Sequence, residues 1–156
     1  GHTYAAGLSL KEENLDAFTQ RFLKLAADEI IPEQMTPQID IDAVLDLQDI
    51  NAKFMSELKK MNPFGPDNQK PVFCSLGVKD YGTSKLVGKD LEHIKLELID
   101  DKSNTPIHGI AFGMHQHNTH IKNMKPFNIC YTIEENTYNG NTSLQLMVKD
   151  IKENDI

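Results

Sequence analysis

The spacing of apolar residues changes once along the chain, near residue 70, and this change constrains the fold more than any other feature of the sequence. Before it, apolar side chains recur every three or four residues, as on one face of a helix. From Pro71 onward, apolar and polar residues alternate, which is typical of strands with one buried face. The sequence therefore predicts an α+β fold in which helices precede an all-β part.

Two amphipathic helices are predicted in the first part. The first begins at a Ser9-x-x-Glu12 capping box and runs to about Ile30. The second begins with Asp46 as its N-cap and ends before the rigid turn at residues 62–66, which holds two prolines. Their apolar stripes are interpreted as core: Leu15, Phe18, Phe22 and Leu25, then Leu47, Ile50, Phe54, Leu58 and Met61. The opening residues 1–10 are strand-like, and residues 38–45 predict a short exposed strand.

The second part predicts five strands and one helix. The strands lie at about residues 72–79, 94–98, 107–112, 127–133 and 144–148, and the helix lies across 116–124. The dipeptide Asn139-Gly140 is a strong hairpin signal between the last two strands. Three strands, a helix and a two-stranded hairpin is the order of the OB-fold barrel. A generic five-stranded sandwich has a similar pattern and stays an alternative.

Composition and charge limit the function classes. The net charge of −7 argues mildly against indiscriminate nucleic-acid binding. The charge is unevenly distributed along the chain. Residues 1–60 carry 6 basic and 11 acidic side chains, whereas residues 61–156 carry 10 basic and 12 acidic side chains. No apolar run is long enough to cross a bilayer, and no leader opens the chain, so we expect a cytoplasmic protein without a membrane partner. A disulfide between Cys74 and Cys130 is one option, and free thiols in a reducing cytoplasm are favoured.

Two segments resemble bacterial RecJ-type single-strand DNA exonucleases of the DHH phosphoesterase superfamily. Residues 1–7, Gly-His-Thr-Tyr-Ala-Ala-Gly, look like the Gly-Gly-His-x-x-Ala-Ala-Gly segment near the end of the family's DHH-associated domain, with one of the paired glycines present. Residues 62–73, Asn-Pro-Phe-Gly-Pro-Asp-Asn-Gln-Lys-Pro-Val-Phe, are similar to the entry to its OB domain. Residues 88–95 and 145–151 also resemble that domain.

This resemblance spans nearly the whole chain and implies its domain organisation. Residues 1–34 would be a C-terminal remnant of the DHH-associated domain. Residues 35–152 would be a RecJ-type OB domain, with a helical lead-in at 35–69 and a barrel at 70–152.

The same resemblance implies a parent enzyme that degrades single-stranded DNA from 5′ to 3′ in repair and recombination. Such enzymes hold Mn²⁺ or Mg²⁺ on Asp and His residues of an N-terminal domain. This sequence contains no Asp-His-His run. We therefore expect the fragment to bind single-stranded DNA, to hold no metal and to be inactive alone. The alternative is a protein-interaction module that docks a replication or repair protein.

Candidate binding residues follow from the resemblance and from OB geometry. The resemblance implies that Gly1 and His2 contact phosphate near the parent's active site. In OB-folds, the first loop (here residues 82–90) and the last hairpin (135–142) flank a binding face made by the second and third strands. Lysines there would neutralise phosphates and tyrosines would stack on bases, although ordinary surface lysines remain the alternative. The candidates are Tyr81, Lys85, Lys89, His93, Lys95 and Tyr138.

Two other clusters of side chains are candidate metal sites. Asp40, Asp42, Asp46 and Asp49 lack the glycine and closing glutamate of an EF-hand, so a strand edge and a helix cap explain them better. His115, His117 and His120 could bind zinc or nickel adventitiously, but no cysteine or carboxylate lies beside them in the sequence. They are interpreted as an exposed linker or a helix start.

Overall fold

The computed structural model describes residues 5–153, with the side chains of Glu33 and Tyr138 left outside the description. The chain divides into two compact units, Gly1–Ile39 and Asp40–Ile156. Among the described residues, no helix is long and apolar enough to span a membrane.

The first unit contains one long helix, α1 (Leu15–Glu29), which ends next to Ile30 as predicted. The predicted capping box is wrong. A one-turn 3-10 helix begins at Glu12 with Lys11 before it, so Ser9 lies outside the first turn and cannot cap it. The predicted opening strand is also wrong for residues 6–10, which have no regular structure.

The apolar stripe of α1 is exposed, which contradicts its interpretation as core. No residue of α1 is buried, and Phe22 is 58% exposed. The physical reason lies within the unit itself, because residues 5–39 form no sheet and no second long helix that could cover the stripe.

The second unit is a closed barrel with a short helical lead-in. Its helices are α2 (Ala52–Lys59) and α3 (Asn118–Lys122). Its strands are β1 (Ala43–Val44), β2 (Phe73–Asp80), β3 (Lys85–Val87), β4 (His93–Ile99), β5 (Ile107–Ala111), β6 (Phe127–Tyr138) and β7 (Asn141–Glu153).

Five of these strands close a ring in the order β2, β4, β5, β7, β6 and back to β2. β5 and β7 are parallel, and the other neighbours in the ring are antiparallel. With α3 between the third and fourth ring strands, this is the predicted OB-fold barrel. β1 adds to β2 in parallel. The predicted loop at residues 82–90 contains a further strand, β3, which pairs with β4.

The barrel core follows the predicted alternation on β4 but not along all of β2. Ile94, Leu96 and Leu98 are fully buried, whereas Leu76 is 59% exposed. A bulge between Ser75 and Val78 shifts the β2 register and turns the Leu76 side chain outward. The rest of the core comes mainly from β6 and β7: Phe127, Ile129, Tyr131, Ile133, Leu146, Val148 and Ile151.

The lead-in packs against β2 and joins the barrel core, which includes Leu47, Ile50 and Leu58. Asn51, not Asp46, caps α2, because its side chain accepts hydrogen bonds from two first-turn amides at 3.0 and 3.1 Å. Asp46 instead precedes a 3-10 turn and pairs with Lys102 at 2.7 Å. The Phe54 and Phe73 rings meet with centroids 5.5 Å apart, which fixes α2 on the barrel.

The hairpin between β6 and β7 turns where it was predicted. Asn139 and Gly140 both have positive φ, 50° and 79°, as the two central residues of a type I′ turn require. Cys74 and Cys130 face each other across β2 and β6 as free thiols. Burial raises the pKa of both thiols.

Candidate nucleic-acid interface

The outer face of β3, β4, β5 and β7 brings together most of the predicted binding residues that the structure describes. Side chains alternate along a strand, so the buried Ile94, Leu96 and Leu98 leave the intervening residues of β4 outside. Cross-strand pairing arranges the outer residues in three rows. We call this surface the outer face.

The lysine row crosses the middle of the outer face. Lys85 of β3 lies directly opposite Lys95 of β4, Lys95 lies opposite Ile110, and Ile110 lies opposite Met147 of β7. Both lysines are exposed, and no carboxylate of the described residues pairs with either. Like charges directly opposite on neighbouring strands destabilise a sheet. An anion bound between them would remove that repulsion.

The ring row lies one step along the strands and contains Val87, His93 and Phe112. Val87 pairs with His93, and the His93 and Phe112 rings meet at 4.9 Å between centroids with planes 79° apart. Phe112 is 55% exposed. Phe112 is not among the binding residues predicted from the sequence. The alternation of residues along the third ring strand could have identified Phe112. With Gly109 and Ala111 buried, alternation places Ile110 and Phe112 on the outer side of the strand.

Both ring nitrogens of His93 are engaged. Nδ1 accepts a hydrogen bond from the Gly113 amide at 3.0 Å, so the proton of the neutral ring lies on Nε2. Nε2 lies 3.2 Å from Oε1 of Glu92. These contacts leave His93 no free nitrogen for a phosphate, and they fix the ring against Phe112.

Glu92 ties this ring pair to the first barrel loop. Its carboxylate accepts a hydrogen bond from the Asp90 amide at 3.0 Å. The pKa of the Glu92 carboxyl is lowered, first by its own amide; burial opposes this shift, and the Asp90 amide and the neighbouring His93 and His115 lower the pKa further. A Cβ at Gly88 would lie 2.8 Å from that carboxylate, and Gly88 has a φ of 97°. Glycine is therefore required there for the loop to close over Glu92.

The acidic row contains Glu97, His108 and Gln145. Glu97 pairs with His108 across β4 and β5, and its Oε1 lies 3.6 Å from His108 Nδ1. The Thr83 hydroxyl donates to the other oxygen of Glu97. Beyond this row, an open cavity of about 560 Å³ begins at His108 and continues to residues 103–105. Most of its polar lining is uncharged.

A buried carboxylate anchors the start of the first loop. Asp80 is 1% exposed and accepts a hydrogen bond from the Ser84 amide at 3.1 Å. Ser84 Oγ in turn accepts the Glu97 amide of β4 at 3.0 Å. Burial alone would raise the pKa of Asp80, but hydrogen bonds from Ser84 and Gly82 and the charge of Lys122 together lower it.

The remaining predicted binding residues lie in the first barrel loop or outside the part of the chain that the structure describes. Tyr81 is half exposed at the start of the loop, and its amide donates to the Glu97 carbonyl at 2.8 Å. Lys89 is exposed farther along the same loop. Gly1 and His2 lie outside the described residues. Tyr138 belongs to β6, and its side chain also lies outside the description.

The histidine cluster differs from its predicted character. A helix does start there, since a 3-10 turn at His115–His117 leads into α3, but only His115 is exposed. The His117 and His120 side chains are 19% and 11% exposed and face the two oxygens of Glu153 at 2.8 and 3.2 Å. Glu153 ends β7 and is distant in sequence, so local spacing gave no sign of it. The described residues contain no group of three or more His, Cys, Asp or Glu side chains that could hold a metal ion.

Known bacterial proteins are similar to this chain in sequence. The chain is 28% identical over 152 residues to the single-stranded-DNA-specific exonuclease RecJ of Haemophilus influenzae, covering 97% of this chain and 26% of that protein. It is 26% identical over 151 residues to the Escherichia coli protein of the same name, again covering 97% and 26%. The chain thus spans about a quarter of the length of these relatives.

Solved structures show the same fold. The crystal structure of RecJ from Thermus thermophilus in complex with Mn²⁺ superposes with a TM-score of 0.73 at 17% identity, over 96% of this chain and 21% of that one. Its Mg²⁺ complex gives a TM-score of 0.70 at 16% identity, over 95% and 21%. A family model described as the RecJ OB domain matches residues 41–150, most of the chain, and the chain therefore belongs to the RecJ OB domain family.

Proposed function

We propose that this chain is the substrate-handling C-terminal part of a single-strand-specific DNA exonuclease, and that its outer face binds the DNA strand. The observation that carries the proposal is the opposed, unpaired Lys85 and Lys95 at the centre of that face. A sheet that keeps two like charges opposite each other loses stability, which is consistent with a site that binds an anionic ligand.

The distribution of ion pairs supports the same conclusion in an acidic protein. Several lysines of the second unit pair with carboxylates: Lys59, Lys60, Lys70, Lys79 and Lys102. In contrast, no described carboxylate pairs with Lys85, Lys89 or Lys95. Lys53 and Lys125 also lack a described carboxylate partner, but Lys85, Lys89 and Lys95 lie on the outer face and its first loop, where phosphates of a strand would release counterions on binding.

The domain organisation and the parent's activity belong to the same proposal. Residues 1–34 would be the end of a DHH-associated domain, with Gly1 and His2 near the parent's active site. Residues 35–152 would be the OB domain, with the lead-in at 35–69. The parent would degrade single strands from 5′ to 3′ in DNA repair and recombination in the cytoplasm. The relatives from Haemophilus influenzae and Escherichia coli are single-stranded-DNA-specific exonucleases, which supports this activity for the parent.

The family implies Mn²⁺ or Mg²⁺, and the described residues do not fit either ion. They offer no cluster of three or more carboxylate, imidazole or thiol ligands. Of the two histidines nearest to such a cluster, His117 is hydrogen-bonded to Glu153, and His120 lies 3.2 Å from the other oxygen of Glu153. We therefore propose that the parent holds its ions in another domain and that this fragment alone does not hydrolyse DNA.

Fluorescence anisotropy with labelled oligonucleotides tests the binding proposal. The chain should bind a single strand better than a duplex of the same length, and affinity should fall as salt rises. The variant Lys85→Gln/Lys89→Gln/Lys95→Gln should bind single strands more weakly. Its control, Lys53→Gln/Lys125→Gln, removes exposed lysines of α2 and of the loop before β6 and should bind as the unmodified chain does.

Two results would contradict the proposal. Absence of any preference for single strands at low salt would show that the chain is not a single-strand binder. Unchanged affinity in the triple variant would place the DNA contacts elsewhere. That result would favour the alternative function, an OB module that docks a replication or repair protein.

A further inference from the structure

We propose that Phe112 is the residue on which an unpaired base stacks, and that this contact gives the interface its preference for single strands. The inference rests on the proposed function and adds to it the chemical group of the DNA that is recognised. The residues predicted from the sequence to stack on bases are tyrosines, whereas Phe112 is identified by its exposure and its position in the fold.

The exposure and position of Phe112 carry the argument. Its ring is 55% exposed directly after β5, on the same face as the lysine row. Phe112 follows Ala111, and Ile110, two residues before it, lies opposite Lys95, so ring and ammonium occupy adjacent rows about 7 Å apart along the strands. A nucleotide that places its phosphate at the lysines therefore has its base within reach of the ring. Bases stack on exposed aromatic side chains without regard to sequence.

The surroundings of Phe112 hold the ring in place rather than cover it. His93 contacts it with the two ring planes 79° apart, and Phe112 remains 55% exposed despite this contact. His93 is in turn fixed by the Gly113 amide and by Glu92. A stacking residue that is already ordered loses less side-chain entropy when the base binds. His93 is thus a positioning residue for Phe112.

Stacking also explains selectivity, which the lysines alone do not. Phosphates are present on single strands and duplexes alike, so Lys85 and Lys95 attract both. The bases of a duplex are paired and stacked on each other, and extruding one costs a few kcal/mol. Only an unpaired strand offers a base to Phe112 without that cost.

The test compares three ligands of equal length with the full chain: a single strand, a duplex and a single strand whose sites are abasic. Phe112→Ala should weaken binding of the ordinary single strand by about fivefold or more, the low end for loss of one stacking ring. Its affinity for the duplex and for the abasic strand should match the unmodified chain. The control, Phe22→Ala, removes an equally exposed ring from α1 and should change none of the three affinities.

A second measurement tests the positioning role of His93. His93→Ala should also weaken binding of the ordinary strand but not of the abasic strand, and its effect should not add to that of Phe112→Ala. A full additive loss would show that His93 acts independently of the ring.

The outcomes separate the inference from the function on which it rests. If the unmodified chain prefers single strands and Phe112→Ala keeps that preference, the stacking assignment is wrong and the binding proposal survives. If the unmodified chain binds no strand, both are wrong.

Discussion

Replacing Lys85 and Lys95 by glutamine should make the protein more stable and its DNA binding weaker at the same time. The two residues face each other directly across β3 and β4, and no described carboxylate compensates either charge. Removing a like-charge cross-strand pair should raise the free energy of unfolding by about 0.2–1 kcal/mol. The gain should shrink as salt is added, since the Debye length falls to about 10 Å at 0.1 M ionic strength.

The effect on binding can be worked from counterion release. Each phosphate neutralised on a single strand contributes about 0.7 to the slope of log affinity against log salt, so two lysines contribute about 1.4. Between 50 and 200 mM salt, the unmodified chain should therefore lose about sevenfold more affinity than Lys85→Gln/Lys95→Gln.

Urea unfolding at two salt concentrations and anisotropy titrations across the same range measure both quantities. Lys53→Gln/Lys125→Gln is the matched control, because it removes the same charge from sites off the outer face. The reasoning predicts that these two lysines repel each other and bind phosphate. A double variant that is less stable than the unmodified chain, or that keeps the full slope of log affinity against log salt, would refute it.

Three further substitutions test the structure that supports the outer face. Asp80→Asn should cost about 1–3 kcal/mol near pH 7, because it replaces a buried hydrogen-bonded carboxylate. The pKa of Asp80 is lowered by folding, so this contribution is present above the unfolded value of about 3.9 and is lost as pH falls through the folded value, and urea unfolding across pH should show the gap closing in acid. Tyr131→Phe should cost about 1–2 kcal/mol in the same assay, since its buried hydroxyl lies 2.7 Å from Ser75 Oγ. Gly88→Ala should cost about 1–3 kcal/mol through its positive φ and displace the Glu92 carboxylate, and anisotropy should then show weaker single-strand binding.

Local patterns predicted the barrel well where one physical effect dominated. On β4, one face is buried by the core and the other is exposed, so alternation alone gave the correct orientation of Ile94 and Lys95. The Asn139-Gly140 turn was predictable because few residues tolerate positive φ at two successive positions.

Other features depend on pairing that no local pattern reveals. β3 has only three residues between glycine-containing segments, so its pairing with β4 determines it as a strand. Alternation predicts Leu76 as a core residue, but the bulge in β2 shifts the register and exposes its side chain. The α1 stripe has the period of a buried helix, yet periodicity does not say what covers it.

The candidate site was predictable in its cations but not in its rings. OB topology pointed to the second strand and the first loop, which contain Lys85, Lys89 and Lys95. Phe112 directly follows the third ring strand, and only the cross-strand register shows that it contacts His93. The engagement of both His93 nitrogens, by Gly113 and Glu92, likewise requires coordinates.

The most direct test of the outer face as the binding surface is an amide chemical-shift titration of the ¹⁵N-labelled chain with a short single strand. The account predicts that the largest shifts lie on β3, β4 and the end of β5, around Lys85, Lys95 and Phe112, with little change on α2. Shifts concentrated instead around the open cavity at residues 103–105, with the lysine and ring rows unmoved, would contradict it.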